Sequence, residues 1–224
     1  LYITAFAGDE NADKDTDSFE IWKKQGIPEN RIYFLPAEDN WWSPGDNGPC
    51  GPCTEMFYDM SGDIGDLSHD EFLQAVKDER VIEIWNDVFM EYEKKDGKVV
   101  GKLSQRNVDT GAGLERITAV MQGKKTAYDT DLFEGVMSVI NERKGKTDAV
   151  SERVVADHVR TSVMMLADGV VPGNSDRNYI LRRLLRRAVR HADKLEIPEN
   201  NLGVIAGAVI EKYKEIYPNV FANM

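Results

Sequence analysis

The hydrophobic pattern of this chain changes once, near Tyr128, and that change limits the folds open to it. Before it, β-branched and aromatic runs are interrupted by short helical stretches; after it, the apolar residues recur at helical spacing. Strands are predicted over 2–6, 31–35, 54–59 and 81–91, with a short hairpin centred on Asp96-Gly97 that leads through Lys102-Leu103 to Asn107-Val108-Asp109. Helices are predicted over 15–25 and 69–78 in this part, and over 129–143, 151–167, 177–195 and 198–217 beyond it. The Gly/Pro/Asn turn GVVPGNSD at 169–176 separates the second and third of the later helices. The strands form meanders and do not alternate strictly with helices. The expected fold class is therefore α+β, with an antiparallel sheet in residues 1–128 and a helical region over 129–224.

Length and charge narrow the function classes. With 224 residues, 42% of them apolar, the chain can bury one large core or two modest ones. A net charge of −11 excludes a protein that coats nucleic acid with a broad positive field, so any such contact must be local. The two cysteines, Cys50 and Cys53, are too few for a disulfide framework. No run of 18 apolar residues and no signal peptide occurs, which favours a cytoplasmic protein without membrane contact. The opening residues Leu1 to Phe6 read as a strand with no initiating methionine, as expected of a piece of a longer polypeptide.

Three segments carry chemistry. Val108-Asp109-Thr110-Gly111-Ala112-Gly113-Leu114-Glu115-Arg116 places a carboxylate, two glycines and an arginine on a predicted strand-to-helix junction. The glycines let backbone approach a ligand, Asp109 can take a cation and Arg116 can reach a polyphosphate. By itself the segment reads equally well as a turn capped by a carboxylate. The third glycine of GxGxxG would fall at Arg116, and no GxxxxGK[ST] occurs, so dinucleotide and P-loop readings are disfavoured.

The helix predicted over 177–195 concentrates Arg177, Arg182, Arg183, Arg186, Arg187, Arg190 and Lys194 on one side. Leu181, Leu184, Leu185, Ala188, Ala192 and Leu195 form an apolar stripe on the other. Charge runs are usually solvated, salt-bridged faces. Here only Asp193 offers an acidic partner, which points to phosphate instead. Residues 40–55 read as a long loop stiffened by Gly-Pro pairs, with Trp42 as a flat apolar wall. A single CxxC with no second pair, and with His69, His158 and His191 at no ligand spacing, makes a zinc site unexpected. A redox role would want a thioredoxin-like βαβ setting.

Taken in order, DNWWSPGDNGPCGPCTE, IEIWNDVFMEY, VDTGAGLERI, YDTDLF, RVVADHVR, ADGVVPGN and NYILRRLLRRAVRH span nearly the whole chain. Together they resemble the alanyl-tRNA synthetases, a class II aminoacyl-tRNA synthetase family. The resemblance implies that residues 1–128 are the C-terminal part of a class II antiparallel-sheet catalytic domain, and that 129–224 belong to a helical tRNA-recognition domain stopping short at Met224. It implies a ligase that joins alanine to ATP as alanyl-adenylate and transfers it to the 3′ end of tRNA(Ala), with magnesium accompanying ATP. VDTGAGLERI corresponds to the third class II signature, so Arg116 holds ATP phosphate and Gly113 lies beside it.

By the same resemblance, Asp109 takes the α-amino group of alanine, Asn86 lies by its carboxylate, and Trp42, Val88 and Gly111 shape the small cavity. An ionised Asp matches an ammonium in charge and hydrogen bonding. Asn86 also reads as a strand residue making a backbone contact, and Val88 as core. A methyl-sized pocket discriminates weakly, since a methylene is worth about 1–3 kcal/mol; family members carry a separate editing domain, not seen here.

The family's basic helical region approaches the tRNA acceptor stem, where a G·U pair is the main identity signal. Arg187 takes the place of an arginine implicated there, with Arg182, Arg183, Arg186 and Arg190 beside it and Asp176 as a further contact. The family usually reads Asn-Arg-Gly-Tyr where this chain has Asp176-Arg177-Asn178-Tyr179. An Asp can accept from a guanine amino group, but it cannot donate and it repels phosphate.

Two rival classes are a non-catalytic RNA-binding module on a synthetase scaffold and a generic nucleotide-binding domain. Asp109 and Arg116 argue against the first, and preference for a G·U over a G·C acceptor minihelix would argue against the second. Two class II signature regions, including the one bearing the arginine that grips the α-phosphate, are not among these residues. The 224-residue chain alone is therefore expected not to activate alanine. Alanine-dependent pyrophosphate exchange by the pure chain measures this, and measurable exchange would overturn it.

Overall fold

The computed structural model describes residues 1–62 and 65–222, so the last two residues of the expected helical region lie outside it. The chain divides into two compact units, Leu1–Lys125 and Thr126–Met224.

In the first unit, β1 (Tyr2–Phe6), α1 (Thr16–Lys24), β2 (Ile32–Leu35), α2 (Ala37–Asn40), β3 (Trp41–Trp42) and β4 (Gly48–Asp59) precede α3 (His69–Lys77), β5 (Val81–Lys95), β6 (Lys98–Ala112) and α4 (Leu114–Met121). The sheet order is β2-β1-β4-β5-β6, with β3 also pairing β4. All five residues of β1 are buried between β2 and β4, and the hydroxyl of Thr4, in the middle of this largely apolar run, accepts from Asn40 Nδ2 at 2.9 Å. The Asp15 side chain caps α1 by accepting from the Ser18 N–H, and Ser68 with Glu71 forms a capping box on α3. β5 and β6 form one long hairpin turning at Asp96-Gly97, whose φ values of 48° and 78° suit a type I′ turn.

Two expectations are corrected. The sheet is mixed: β1 and β2 are parallel, while β1–β4, β3–β4, β4–β5 and β5–β6 are antiparallel. The β1–β2 connection contains α1, long enough for the crossover that a parallel pair needs. The segment 40–55 is not one long loop, because Trp41 and Trp42 pair with Pro52 and Gly51, and β4 starts at Gly48. A register shift between Cys50 and Cys53 lets this Gly/Pro-rich stretch join β5. Gly51 makes the contact possible, since a Cβ there would lie 1.9 Å from the Phe89 carbonyl oxygen.

An aromatic cluster closes one side of the sheet. Tyr33 stacks on Phe72 of α3 at 4.3 Å between ring centroids, and Phe57 meets Phe72 edge-on at 5.3 Å. This leaves the neighbouring part of the sheet, across β4, β5 and β6, for other work.

The second unit contains α5 (Glu134–Arg143), α6 (Ala149–Ala167), α7 (Asp176–Lys194), α8 (Leu202–Tyr213) and α9 (Pro218–Ala222). Its core joins Ile140, Val155, Ala156, Leu195, Ile205 and Val209. α7 buries Leu181, Ala188 and Ala192, a narrower stripe than expected, with Leu184 and Leu185 only half-buried. Two alanines on the buried face let helices approach closely.

Glycine at 51 is therefore required by space. Gly51→Ala should cost about 3 kcal/mol or prevent folding, because backbone and not a flexible side chain blocks the new Cβ. Gly101→Ala, with nothing within 4 Å of its Cβ position, should change stability by less than about 0.5 kcal/mol. Urea unfolding of both variants checks this, and equal midpoints would refute it.

Candidate functional site

Directly paired residues of an antiparallel sheet point to the same face. Glu55 pairs with Asn86 and Asn86 with Gly111; Cys53 pairs with Val88 and Val88 with Asp109. The register thus brings Asn86, Val88, Asp109 and Gly111 together on one face, in two adjacent rows. Trp42 lies on β3 opposite Gly51, in the same strand as Cys53 and Glu55. Val88 is 4% exposed and forms floor, whereas Asp109 is exposed.

Each group has a defined setting. A Cβ on Gly111 would lie 3.1 Å from Asn86 Oδ1, so glycine makes room for the asparagine side chain. The Asn86 carbonyl lies 3.1 Å from Thr110 Oγ1, which also donates to Asp87 Oδ1 at 2.8 Å. Trp85 Nε1 donates to the same hydroxyl. Asp109 Oδ1 accepts from the Thr110 N–H at 2.9 Å, and its second oxygen has no hydrogen bond among the described residues.

The pairing of β4 with β5 slips by one residue: Met56 faces Trp85, but Phe57 faces Glu83, leaving Ile84 as the extra residue. This bulge puts Glu83 on the same face as Asn86, although they are three positions apart. The Ile84 carbonyl accepts from the Gly113 N–H at 3.2 Å, where β6 passes into α4. Gly113 is the N-cap of α4 and offers no side-chain cap. Arg116 folds back over it, and Arg116 Nη1 donates to the Glu83 carbonyl at 2.9 Å and to Glu83 Oε2 at 3.0 Å.

Sequence reasoning assigned no role to Glu55 or Glu83. Burial, followed by the nearby charges of Glu83 and Asp39, pushes the Glu55 carboxyl up to about 7. Burial and then Glu55 push the Cys53 thiol up to about 12, leaving an unreactive thiol. Among the described residues, no group of three or more His, Cys, Asp or Glu is arranged to hold a metal.

In the second unit, a groove of about 620 Å³ is lined by Arg183, Arg186, Arg187 and Arg190 of α7, together with His158 and Asp193. None of these arginines has a carboxylate within salt-bridge distance among the described residues. Tyr179 and apolar side chains complete the lining, and the Arg183 guanidinium lies 5.8 Å from the Tyr179 ring centroid. Arg182 stays outside the groove and donates to Asn174 Oδ1. Asp176 is also outside it, at the first residue of α7, with a left-handed φ of 48° that Asp tolerates. Asn178 accepts from the Gly173 N–H at 3.0 Å, and a Cβ on Gly173 would come within 2.9 Å of Asn178 Cβ.

The whole chain, residues 1–224, matches the family model described as tRNA synthetases class II (A). It is 41% identical over 233 residues to an alanine–tRNA ligase of Anaeromyxobacter dehalogenans, covering 100% of this chain and 26% of that protein. An alanine–tRNA ligase of Treponema pallidum is 42% identical over 229 residues, 98% of this chain and 37% of that protein. A mitochondrial alanine–tRNA ligase of Mus musculus is 38% identical over 239 residues, 100% of this chain and 23% of that protein. The chain thus spans about a quarter to a third of the length of these curated relatives. Among the described residues, no helix is long and apolar enough to cross a membrane.

The raised Glu55 has a measurable consequence. Its proton is held up to about 7 in the fold but is released near 4.5 in the unfolded chain. Its favourable contribution is therefore complete below pH 4.5 and lost as pH rises to 7. Glu55→Gln should match the native chain near pH 4.5 and exceed it at pH 8 by roughly 2–3 kcal/mol. Denaturant unfolding across this range tests the assignment; parallel stability curves would sink it.

Proposed function

The chain belongs to the class II (A) tRNA synthetase family, and on that premise we propose that it carries part of an alanyl-adenylate site and part of a tRNA acceptor-stem surface. The observation that carries the reading is the register that sets Asn86, Val88, Gly111 and Asp109 on one face of β5 and β6, with Arg116 just beyond the end of β6.

The free oxygen of Asp109 takes the alanine ammonium, and the Asn86 amide lies by the carboxylate. Val88, Gly111 and Trp42 limit the space for the methyl group. The alanine carboxylate attacks the ATP α-phosphate in line, forming a C–O–P linkage and releasing pyrophosphate. Positioning and charge stabilisation assist this step more than a general base does. Gly113 allows close approach to the nucleotide, and Arg116 offers its guanidinium to phosphate.

Magnesium supplies charge neutralisation on the phosphates when it arrives with ATP. Its preference for carboxylate oxygen fits Glu55 and Glu83, which share that face of the sheet. Loaded alanine is then transferred to the terminal ribose of tRNA(Ala). Arg183, Arg186, Arg187 and Arg190 take acceptor-stem phosphates, with Arg182 and Asp176 at the flank. A cytoplasmic location is part of this reading.

Asp109→Ala should lower kcat/KM for alanine by roughly 100-fold with little change in KM for ATP, because a charge-assisted contact to the ammonium is lost. Alanine-dependent pyrophosphate exchange by the whole protein measures this, and unimpaired alanine use would refute the pocket. Arg187→Ala should weaken binding of a G·U acceptor minihelix and reduce the salt slope by about 1. An unchanged slope would remove that arginine from the RNA surface.

A further inference from the structure

Trp42, the proposed wall of the alanine pocket, sits in a very short strand. β3 is two residues long and pairs with β4 only where Trp41 meets Pro52 and Trp42 meets Gly51. So short a ladder holds a strand loosely, and its position depends on what anchors the neighbouring side chains. The Trp41 ring lies against Phe6 and Tyr92, at 5.3 and 5.6 Å between centroids. Immediately before it, Asn40 is 0% exposed, and its Nδ2 donates to Thr4 Oγ1 at 2.9 Å and to the Cys53 carbonyl at 3.0 Å. A carbonyl only accepts, which fixes the end of the amide that is nitrogen. The Thr4 hydroxyl gives its own proton to the Glu55 carboxylate, so its oxygen is left to accept from Asn40. One amide thus joins the start of β3 to β1 and to Cys53, whose row continues through Val88 to Asp109. Asn40 Oδ1 has no hydrogen-bond partner among the described residues, and an unpaired buried acceptor is a cost to the fold. Only the donors of this amide are used, and both go to groups that set where β3 lies.

We propose that Asn40 is a positioning residue for amino-acid specificity: it holds the Trp42 wall at a fixed distance from the row of Cys53, Val88 and Asp109, and so sets the space open to the substrate side chain. This rests on the reading of Trp42 as a pocket wall. Being fully buried, Asn40 acts through that ring and makes no contact with substrate itself. Without its amide, β3 keeps its two pairs and the Trp41 contacts but loses its tie to β1 and to the floor row. The wall then yields to a side chain larger than methyl.

The test uses the whole protein in pyrophosphate exchange, with alanine and with 2-aminobutyrate, which carries one more methylene. Asn40→Ala should lower the ratio of kcat/KM for alanine to that for 2-aminobutyrate roughly 10-fold, within the range that one methylene can supply, and leave KM for ATP unchanged. Asn40→Ser keeps a small polar side chain too short to reach both acceptors and should lower the ratio roughly 3-fold, the size of one lost hydrogen bond; it decides the matter if the alanine variant does not fold. Added to Trp42→Ala, Asn40→Ala should change the ratio no further, because its effect passes through that ring. An asparagine that served stability alone would lower kcat/KM for both amino acids equally. That result, an equal rise in KM for ATP, or losses that add to those of Trp42→Ala would overturn the proposal. If Trp42→Ala alone leaves the ratio unchanged, it is the wall role of Trp42 that fails.

Discussion

One extra residue in β5 determines how the candidate site is built. Side chains on a strand alternate, so Glu83 and Asn86, three apart, would ordinarily face opposite sides of the sheet. With Ile84 unpaired between Trp85 and Glu83, the alternation is reset. Glu83 then shares a face with Glu55, Asn86 and Gly111, and the displaced carbonyls are free to meet Gly113 and Arg116. Removing the bulge would shift every residue on one side of it to the wrong face. The aromatic cluster around Phe72 packs on that side, so the core holds the bulge in place.

What the sequence made legible follows from the range of the forces involved. The Asp96-Gly97 turn, the capped starts of α1 and α3, and the passage from β6 into α4 are local, and a window of a few residues contains their causes. The strand character of Gly48–Asp59 is not local: it depends on Gly51 leaving room for the Phe89 carbonyl of a strand nearly forty residues away. A Gly/Pro-rich stretch scored by propensity alone reads as loop. The parallel β1–β2 pair likewise depends on a crossover, not on either strand's composition. Glu55 and Glu83 escaped notice for the same reason, since only the pairing of β4 with β5 brings them close.

The helix α7 shows a complementary case, in which composition was informative because the two faces obey different constraints. Ala188 and Ala192 carry almost no exposed surface and contribute little bulk, so the helix seats by close approach. The arginines project from the other side, and among the described residues those lining the groove have no carboxylate within salt-bridge distance, in a chain of net charge −11. Segregating cations in so acidic a protein sets up a local positive field that long-range repulsion would otherwise suppress. Asp193 within the groove lining keeps that field from being uniform.

Glu55 shows an electrostatic cost built into this face of the sheet. A carboxyl buried beside Glu83 and Asp39 is held neutral at a pH where exposed carboxylates are ionised, so the fold resists a charge that its own sequence placed there. An ammonium or a divalent cation entering that face would reverse the balance, favouring the ionised form and stabilising the folded state by the same linkage. Arg116 offsets part of the repulsion by pairing with Glu83, while Glu55 has no hydrogen-bonded cation among the described residues. Glutamine at that position would remove the cost without changing the side chain's size, so the carboxylate is not there for the stability of the fold.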